Sequence, residues 1–179
     1  MRALGVRRSG PSEPRNRLAV RVDTGSMGKI MVKIKVGNVE DLALARHGLL
    51  PPERVRSVEI DALVDTGATT LALPADVGEQ LGLHVEGKRK VRYADGRTAE
   101  IPWVSGVRLE ILGRVMTCDA VLEAAGTTAL IGQIPLEALD LVIDPKSRDL
   151  TVNPASPDMP LLDLLRVSSE AAPVPRSAL

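Results

Sequence analysis

The residues best suited to chemistry lie in one short segment, in which an apolar run leads directly into Asp65-Thr66-Gly67. The run, Ile60-Asp61-Ala62-Leu63-Val64, predicts a strand that places the Asp65 carboxylate at its end. A carboxylate can take a proton from water, and two that share one proton can also polarise a carbonyl group. Thr66 offers a hydroxyl that can bind backbone, and Gly67 permits a tight backbone path beside a substrate. The segment therefore predicts acid–base chemistry at Asp65.

The Asp-Thr-Gly triplet also has a purely structural interpretation, since it would suit an Asx-type turn at the end of a strand. The triplet occurs a second time, at Asp23-Thr24-Gly25-Ser26. This copy follows Arg21-Val22 in a basic segment, and Met27-Gly28-Lys29 stands where an apolar run is needed. Too few residues separate the two copies for each to have its own lobe. We interpret the first copy as a chance occurrence.

Three further features follow Asp65 along the chain. Leu71-Ala72-Leu73 precedes a Pro suited to starting a short helix. Tyr93-Ala94-Asp95-Gly96-Arg97-Thr98 contains a turn signal between two strand patterns. Ala129-Leu130-Ile131-Gly132 is an apolar element that ends in Gly and precedes a second short helix. In this order, the features resemble the retropepsin-like aspartic proteases, and the prokaryotic type more closely than the viral one.

The resemblance covers residues 30–154 and implies a fold, an activity and a set of site residues. It implies a mainly β fold, a closed retropepsin-like barrel (an acid-protease half-lobe) with one or two short helices, which acts as a homodimer. It implies catalysis by Asp65, Thr66 and Gly67, with one Asp65 from each subunit. The substrate-binding positions that it implies are Ala68 and Thr69, the hairpin residues Ala94, Asp95 and Gly96, and Gly132.

The chain departs from the viral enzymes at three positions. Thr69 and Thr70 stand where those enzymes carry acidic residues that hold the substrate backbone, and Gln133 stands where they carry an Arg that pairs with one of those acids. Both ends of that ion pair are absent together. We therefore expect substrate binding and dimer stability to differ from those of the viral enzymes, and the aspartate chemistry to be unaffected.

The pattern of the remaining chain predicts short strands joined by turns. Apolar residues alternate over 30–36, and a polar, Pro-containing connection leads to a strand at 58–64. Pro74 begins a predicted helix with Val77 and Leu81 on one face and Gly82 at its end. The other predicted elements are strands at 88–94 and 97–104 around a two-residue Asp95-Gly96 turn, strands at 107–112 and 115–122 that turn at Gly113-Arg114, a strand at 128–132, a helix at 135–139, and strands at 141–143 and 150–152 around a turn at 144–147.

Length and composition set the domain organisation. A chain of 179 residues supports one core domain with tails. We predict a basic, disordered N-terminal tail at 1–26, a protease domain at 27–154 and a Pro/Ser/Ala-rich C-terminal tail at 155–179. Met27 is a candidate for the true first residue. The apolar cluster at 161–165 is either a short docking helix or part of a loose tail.

Composition also excludes several classes of protein. The formal net charge is zero, and one Trp with one Tyr gives no stacking platform for nucleic acid. A single cysteine, Cys118, excludes an internal disulfide and a multi-cysteine metal site, and we expect it to pack in the interior. With only His47 and His84, both expected at the surface, we expect no metal and no cofactor. No run is apolar enough to span a membrane, so a cytoplasmic location is expected.

Three functions follow from these patterns. The first is an aspartic endopeptidase with a polypeptide substrate and a homodimer partner. The second is a catalytically silent module of the same fold, which dimerises or binds extended peptides by strand addition. The third is nucleic-acid binding through the Arg-rich segment 1–26, which six scattered arginines support only weakly.

Overall fold

Strands are the main elements of the fold. The computed structural model describes residues 29–162 except 145, 146 and 148. Within them the elements are β1 (Ile30–Asn38), α1 (Val39–Arg46), a 3-10 turn (Pro52–Arg54), β2 (Ser57–Val64), β3 (Leu71–Pro74), α2 (Ala75–Leu81), β4 (Val85–Arg92), β5 (Thr98–Ile111), β6 (Arg114–Glu123), β7 (Ala129–Ile131), α3 (Gln133–Ala138), β8 (Leu141–Asp144) and β9 (Asp149–Val152). The first Asp-Thr-Gly copy, the 1–26 tail, part of the 144–147 turn and the chain after 162 lie outside the described residues.

Six of the strands close into a barrel in the order β1-β2-β7-β3-β6-β5, and β5 pairs back with β1. The β2–β7 and β3–β6 pairs are parallel, and the others are antiparallel. β4 extends the sheet beyond β5 as one arm of a hairpin, and β8 pairs only with β9. The predicted mainly β, closed-barrel fold is therefore confirmed.

The barrel interior is filled by aliphatic side chains, as the low aromatic content requires. Alternate residues of β1 point inward, and Val32, Ile34 and Val36 are almost fully buried. The interior also receives Leu71 and Leu73 from β3. This continuous apolar core supplies the main driving force for closure of the barrel.

Several predicted elements are confirmed with shifted boundaries. Helix α2 buries Val77 and Leu81, and Gly82 ends it in the left-handed conformation with φ 60°. Pro74 precedes the helix as its N-cap residue and also ends β3. Both α3 and the two strands β8 and β9 occur close to their predicted positions.

Three local predictions were wrong. The connection after β1 contains a helix, α1, whose N-terminus is capped by the Asn38 side chain, which accepts hydrogen bonds from the backbone of Glu40 and Asp41. β5 is one continuous strand with a bulge between Val104 and Val107, because Gly106 takes φ 68° there. The next turn lies at Leu112-Gly113, since both residues have positive φ, as a type I′ hairpin turn needs.

In the part of the chain that the structure describes, no helix is both long and apolar enough to cross a lipid bilayer.

Candidate active site

Asp65 begins a tight loop that is held to the barrel by backbone hydrogen bonds. Its own N–H donates to the carbonyl of Ile131 at 3.0 Å, which continues the parallel β2–β7 ladder by one step. The Ala68 N–H donates to the Asp65 carbonyl at 3.1 Å and closes the turn. Asp65 is therefore fixed at its backbone on two sides, and its half-buried side chain stays available.

The far side of the loop is fixed to the start of α3. The N–H of Gln133 donates to the Ala68 carbonyl at 2.9 Å, and the N–H of Ile134 donates to the Thr69 carbonyl at 3.0 Å. These bonds use the free N–H groups that every helix N-terminus presents. The loop and the first turn of α3 thus satisfy each other's backbone groups.

Gly132 allows this contact to be close. A Cβ on Gly132 would lie 2.6 Å from both the N and the O of Thr70 and 2.7 Å from the Ala68 carbonyl oxygen. Its φ of −86° is open to any residue, so the requirement for glycine is purely steric. The observed contacts of Gly132 are with the loop backbone, and its predicted role in substrate binding stays a prediction.

The Asp65 carboxylate has one hydrogen bond inside the loop. Its Oδ1 accepts from the Gly67 N–H at 2.9 Å, which orients the group without neutralising it. A Cβ on Gly67 would lie 3.1 Å from the same oxygen, so glycine leaves room for the bond. Thr66 and Thr69 are exposed beside it, and Thr70 donates to the Asp119 carbonyl of β6 at 3.4 Å. The Asx-type turn and the presentation of a carboxylate therefore occur together.

The second predicted part of the site is the hairpin of β4 and β5. Its turn is a three-residue loop, Ala94-Asp95-Gly96, closed by a bond from the Tyr93 N–H to the Arg97 carbonyl at 2.8 Å. The predicted two-residue turn was therefore wrong by one residue. Gly96 has φ 82°, and Asp95 accepts from the Arg97 N–H at 2.9 Å, so both residues shape the turn.

Tyr93 anchors this hairpin to the barrel. Its hydroxyl donates to the Glu123 carboxylate at the end of β6, at 3.1 and 3.2 Å to the two oxygens. Burial, together with the bond to Glu123, raises the pKa of the Tyr93 phenol, so it stays protonated as a donor. The Arg97 guanidinium lies 4.5 Å from the centre of the Tyr93 ring. These contacts fix the base of the hairpin on one side.

The structure brings together only some of the predicted site residues. Asp65 to Thr69 form one unit with Gly132. Within the described ranges, no hydrogen bond joins the 94–96 turn to this unit. Glu123 and the Ile131 carbonyl were missed by the sequence analysis. Their partners, Tyr93 and Asp65, are thirty or more positions away in the chain, and no local pattern indicates such a pairing.

The remaining candidate groups are not part of the site. His47 and His84 are exposed, as predicted. Cys118 packs against the barrel core, as predicted, and its burial raises the thiol pKa to about 12. In the described part of the chain, no three His, Cys, Asp or Glu side chains are grouped so that they could hold a metal ion.

Comparison with known proteins agrees with this geometry. The family model described as gag-polyprotein putative aspartyl protease matches residues 54–138. The match runs from the 3-10 turn to the end of α3 and includes the Asp65 loop, the hairpin and Gly132. No curated protein matched the sequence. Over these matched residues, the chain is similar to the retropepsin-like aspartyl proteases.

Proposed function

We propose that the protein is an aspartic endopeptidase that works as a homodimer, with Asp65 of each subunit forming the catalytic pair. The observation that carries the proposal is the Asp65 loop, in which backbone bonds hold the residue while its carboxylate remains half exposed. One chain supplies one such carboxylate, and a twofold axis would supply the second.

The reaction needs two carboxylates that share one proton and hold a water molecule between them. The ionised carboxylate takes a proton from the water, and the water oxygen attacks the scissile carbonyl carbon. The protonated carboxylate gives its proton to the carbonyl oxygen. Collapse of the tetrahedral intermediate then breaks the C–N bond. The carboxyl group that took the proton from water gives it to the departing amine nitrogen, and a hydroxyl proton of the intermediate returns to the other carboxylate. The bond from the Gly67 N–H to Asp65 would keep the carboxylate oriented during these steps.

The substrate in this proposal is an extended polypeptide. The exposed Thr69 beside Ala68 and the hairpin turn Ala94-Asp95-Gly96 would contact it from two sides. The absence of a side chain at Gly67 and Gly96 would let the peptide approach the backbone closely. Thr69 stands where the viral enzymes carry an acidic residue and is exposed, so its hydroxyl would bind the substrate backbone here.

Substitution of the carboxylate tests the proposal. Asp65→Asn preserves shape and removes the base, so we expect peptide cleavage to fall by about 10⁴-fold or more while the melting temperature stays within a few degrees. The measurement is digestion of casein or a peptide library between pH 4 and 7. A variant that still cleaves at the wild-type rate would refute the assignment.

A matched control uses the exposed Asp61, which lies four positions earlier on β2 and pairs with Lys33 at 3.6 Å. Asp61→Asn removes the same charge outside the loop and should leave cleavage unchanged. If the wild-type protein binds peptides but never cleaves them, the silent peptide-binding module is the correct function. Sedimentation equilibrium checks the dimer separately, because a strictly monomeric protein cannot form the pair.

A further inference from the structure

A second concave site lies between α1, the 3-10 turn and the outer face of strands β2, β1 and β5. The cavity has a volume of about 600 Å³ and is open on one side. It lies where Gly37 pairs with Ser57, whereas Asp65 follows Val64 at the other end of the same β1–β2 ladder. At about 3.3 Å per residue the two ends are roughly 20 Å apart. The cavity is therefore separate from the Asp65 site, and its size is that of a small-ligand site.

The floor of the cavity is sheet and its wall is helix. Gly37 pairs with Arg108 and Lys35 pairs with Glu110, so these residues project from one face of the sheet. Because Gly37 has no side chain, the cavity reaches down to the sheet backbone at the centre of its floor. The apolar part of the wall consists of Leu42, Ala45, Pro52 and Val55.

The lining carries uncompensated positive charge. Arg56 is already bound by Asp41, with N–O distances of 2.6 and 2.7 Å. Lys35 lies in register between Glu59 and Glu110. Arg46 on the wall and the half-buried Arg108 on the floor form no ion pair among the described residues. A half-enclosed site of this kind concentrates the field of its unpaired cations and attracts anions.

We propose that this cavity binds a small organic anion that has a carboxylate or phosphate head and an apolar body. The head would lie between Arg46 on the helix wall and Arg108 on the sheet floor, both of which line the cavity. The body would cover the apolar wall of Leu42 and Val55. The inference does not depend on proteolysis, since no residue of the cavity belongs to the Asp65 site.

The test is an NMR titration of the ¹⁵N-labelled full chain with hexanoate, hexyl phosphate and inorganic phosphate, with hexanol as the uncharged control. We expect saturable shifts at the amides of Gly37, Ala45 and Val55 with at least one of the two amphiphilic anions. Weaker shifts with inorganic phosphate and none with hexanol are expected, and the two amphiphiles distinguish a carboxylate head from a phosphate head.

Two variants connect the binding to the charges. Arg46→Gln and Arg108→Gln should each weaken binding by about tenfold, because each removes one charge-assisted bond. Arg46 is exposed on α1, so its substitution leaves the fold intact even if that of Arg108 does not. The matched control is Arg92→Gln on β4, with unchanged affinity. Absence of saturable shifts at millimolar concentration, equal binding of hexanol, or wild-type affinity in both variants would overturn the proposal.

Discussion

The two ends of the β1–β2 ladder are held by different kinds of bonds. At one end, the Asp65 loop is fixed by backbone groups of Ile131, Gln133 and Ile134. At the other end, side chains make the contacts of the junction. The Asn38 side chain, which is 2% exposed, donates a hydrogen bond to the Leu81 carbonyl at 3.0 Å. The Asp41 carboxylate, which is 5% exposed, accepts hydrogen bonds from Arg56. Backbone bonds leave side chains available for chemistry, whereas the junction uses its polar side chains for structure.

This difference predicts how substitutions at the two ends will act. Changes at the Asp65 loop should affect activity first, because the groups that hold the loop also aim the carboxylate. Changes at the Asn38–Asp41–Arg56 junction should affect stability first, because an unpaired buried polar group carries its full desolvation cost. Four substitutions test this contrast.

Gly132→Ala should have the largest effect. Its Cβ would lie within 2.7 Å of three backbone atoms of the loop, so the loop must move. We expect loss of cleavage and a fall in the free energy of unfolding of about 3 kcal/mol. The control is Gly126→Ala, which has open space within 4 Å and carries only the strain of φ 73°, about 1 kcal/mol. Full activity in Gly132→Ala would contradict the expectation that changes at the Asp65 loop reduce activity.

Arg56→Gln should act in the opposite way. It leaves the buried Asp41 carboxylate without its charged partner, and we expect a loss of about 2–3 kcal/mol in urea unfolding with kcat unchanged. The hydrogen bond from Arg56 lowers the pKa of Asp41. In the wild type, the stabilisation from this bond is present above the ordinary pKa of 3.8 and is lost as pH falls through the lowered value. The variant lacks this bond, so its free energy of unfolding should decrease less than that of the wild type as pH falls. A drop in kcat at full stability would contradict this.

Asp140→Asn tests a third region, where side chains again hold structure. Asp140 accepts from Ser156, from the Leu161 N–H at 3.0 Å and from Asn153 at 2.8 Å, and these bonds lower its pKa well below the usual range. Since the folded-state pKa is depressed, the stabilisation is present near neutral pH and fades as pH falls through that value.

The variant should therefore melt several degrees below wild type at pH 7, and the two curves should converge towards pH 2. Thermal unfolding monitored by circular dichroism between pH 2 and 7 measures this difference. Asp61→Asn, which breaks only an exposed pair, should change the melting temperature little at any pH. A gap that stays constant across the range would exclude ionisation of Asp140 as the cause.

Tyr93→Phe should have the smallest effect. It removes the hydroxyl bond to Glu123 and costs about 1 kcal/mol. If the hairpin binds substrate, its looser base should raise KM a few-fold and leave kcat near wild type. Steady-state kinetics on a peptide substrate provide the measurement. A change in kcat alone would show that Tyr93 acts on the Asp65 loop and not on the hairpin.

Local sequence patterns were sufficient for much of the fold. The alternation of β1 and the apolar run before Asp65 gave strands close to their observed limits, because period-two burial leaves a clear trace. α1 was missed because its apolar residues do not follow one face, and its clearest signal was the Asn38 cap. The turns shifted by one residue where backbone φ, and not residue type alone, fixed the loop length.

The sequence by itself determined which chemical groups the candidate site contains. They are a carboxylate at the end of an apolar strand, the Thr and Gly that follow it, and a distant Ile-Gly element. Tertiary structure decided which groups meet, since the parallel pairing of β2 with β7 places Ile131 and Gly132 against the Asp65 loop. It also decided that Tyr93 meets Glu123 and that Arg56 meets Asp41. Such pairings depend on closure of the barrel. Local residue patterns do not predict contacts between segments that are far apart in the chain.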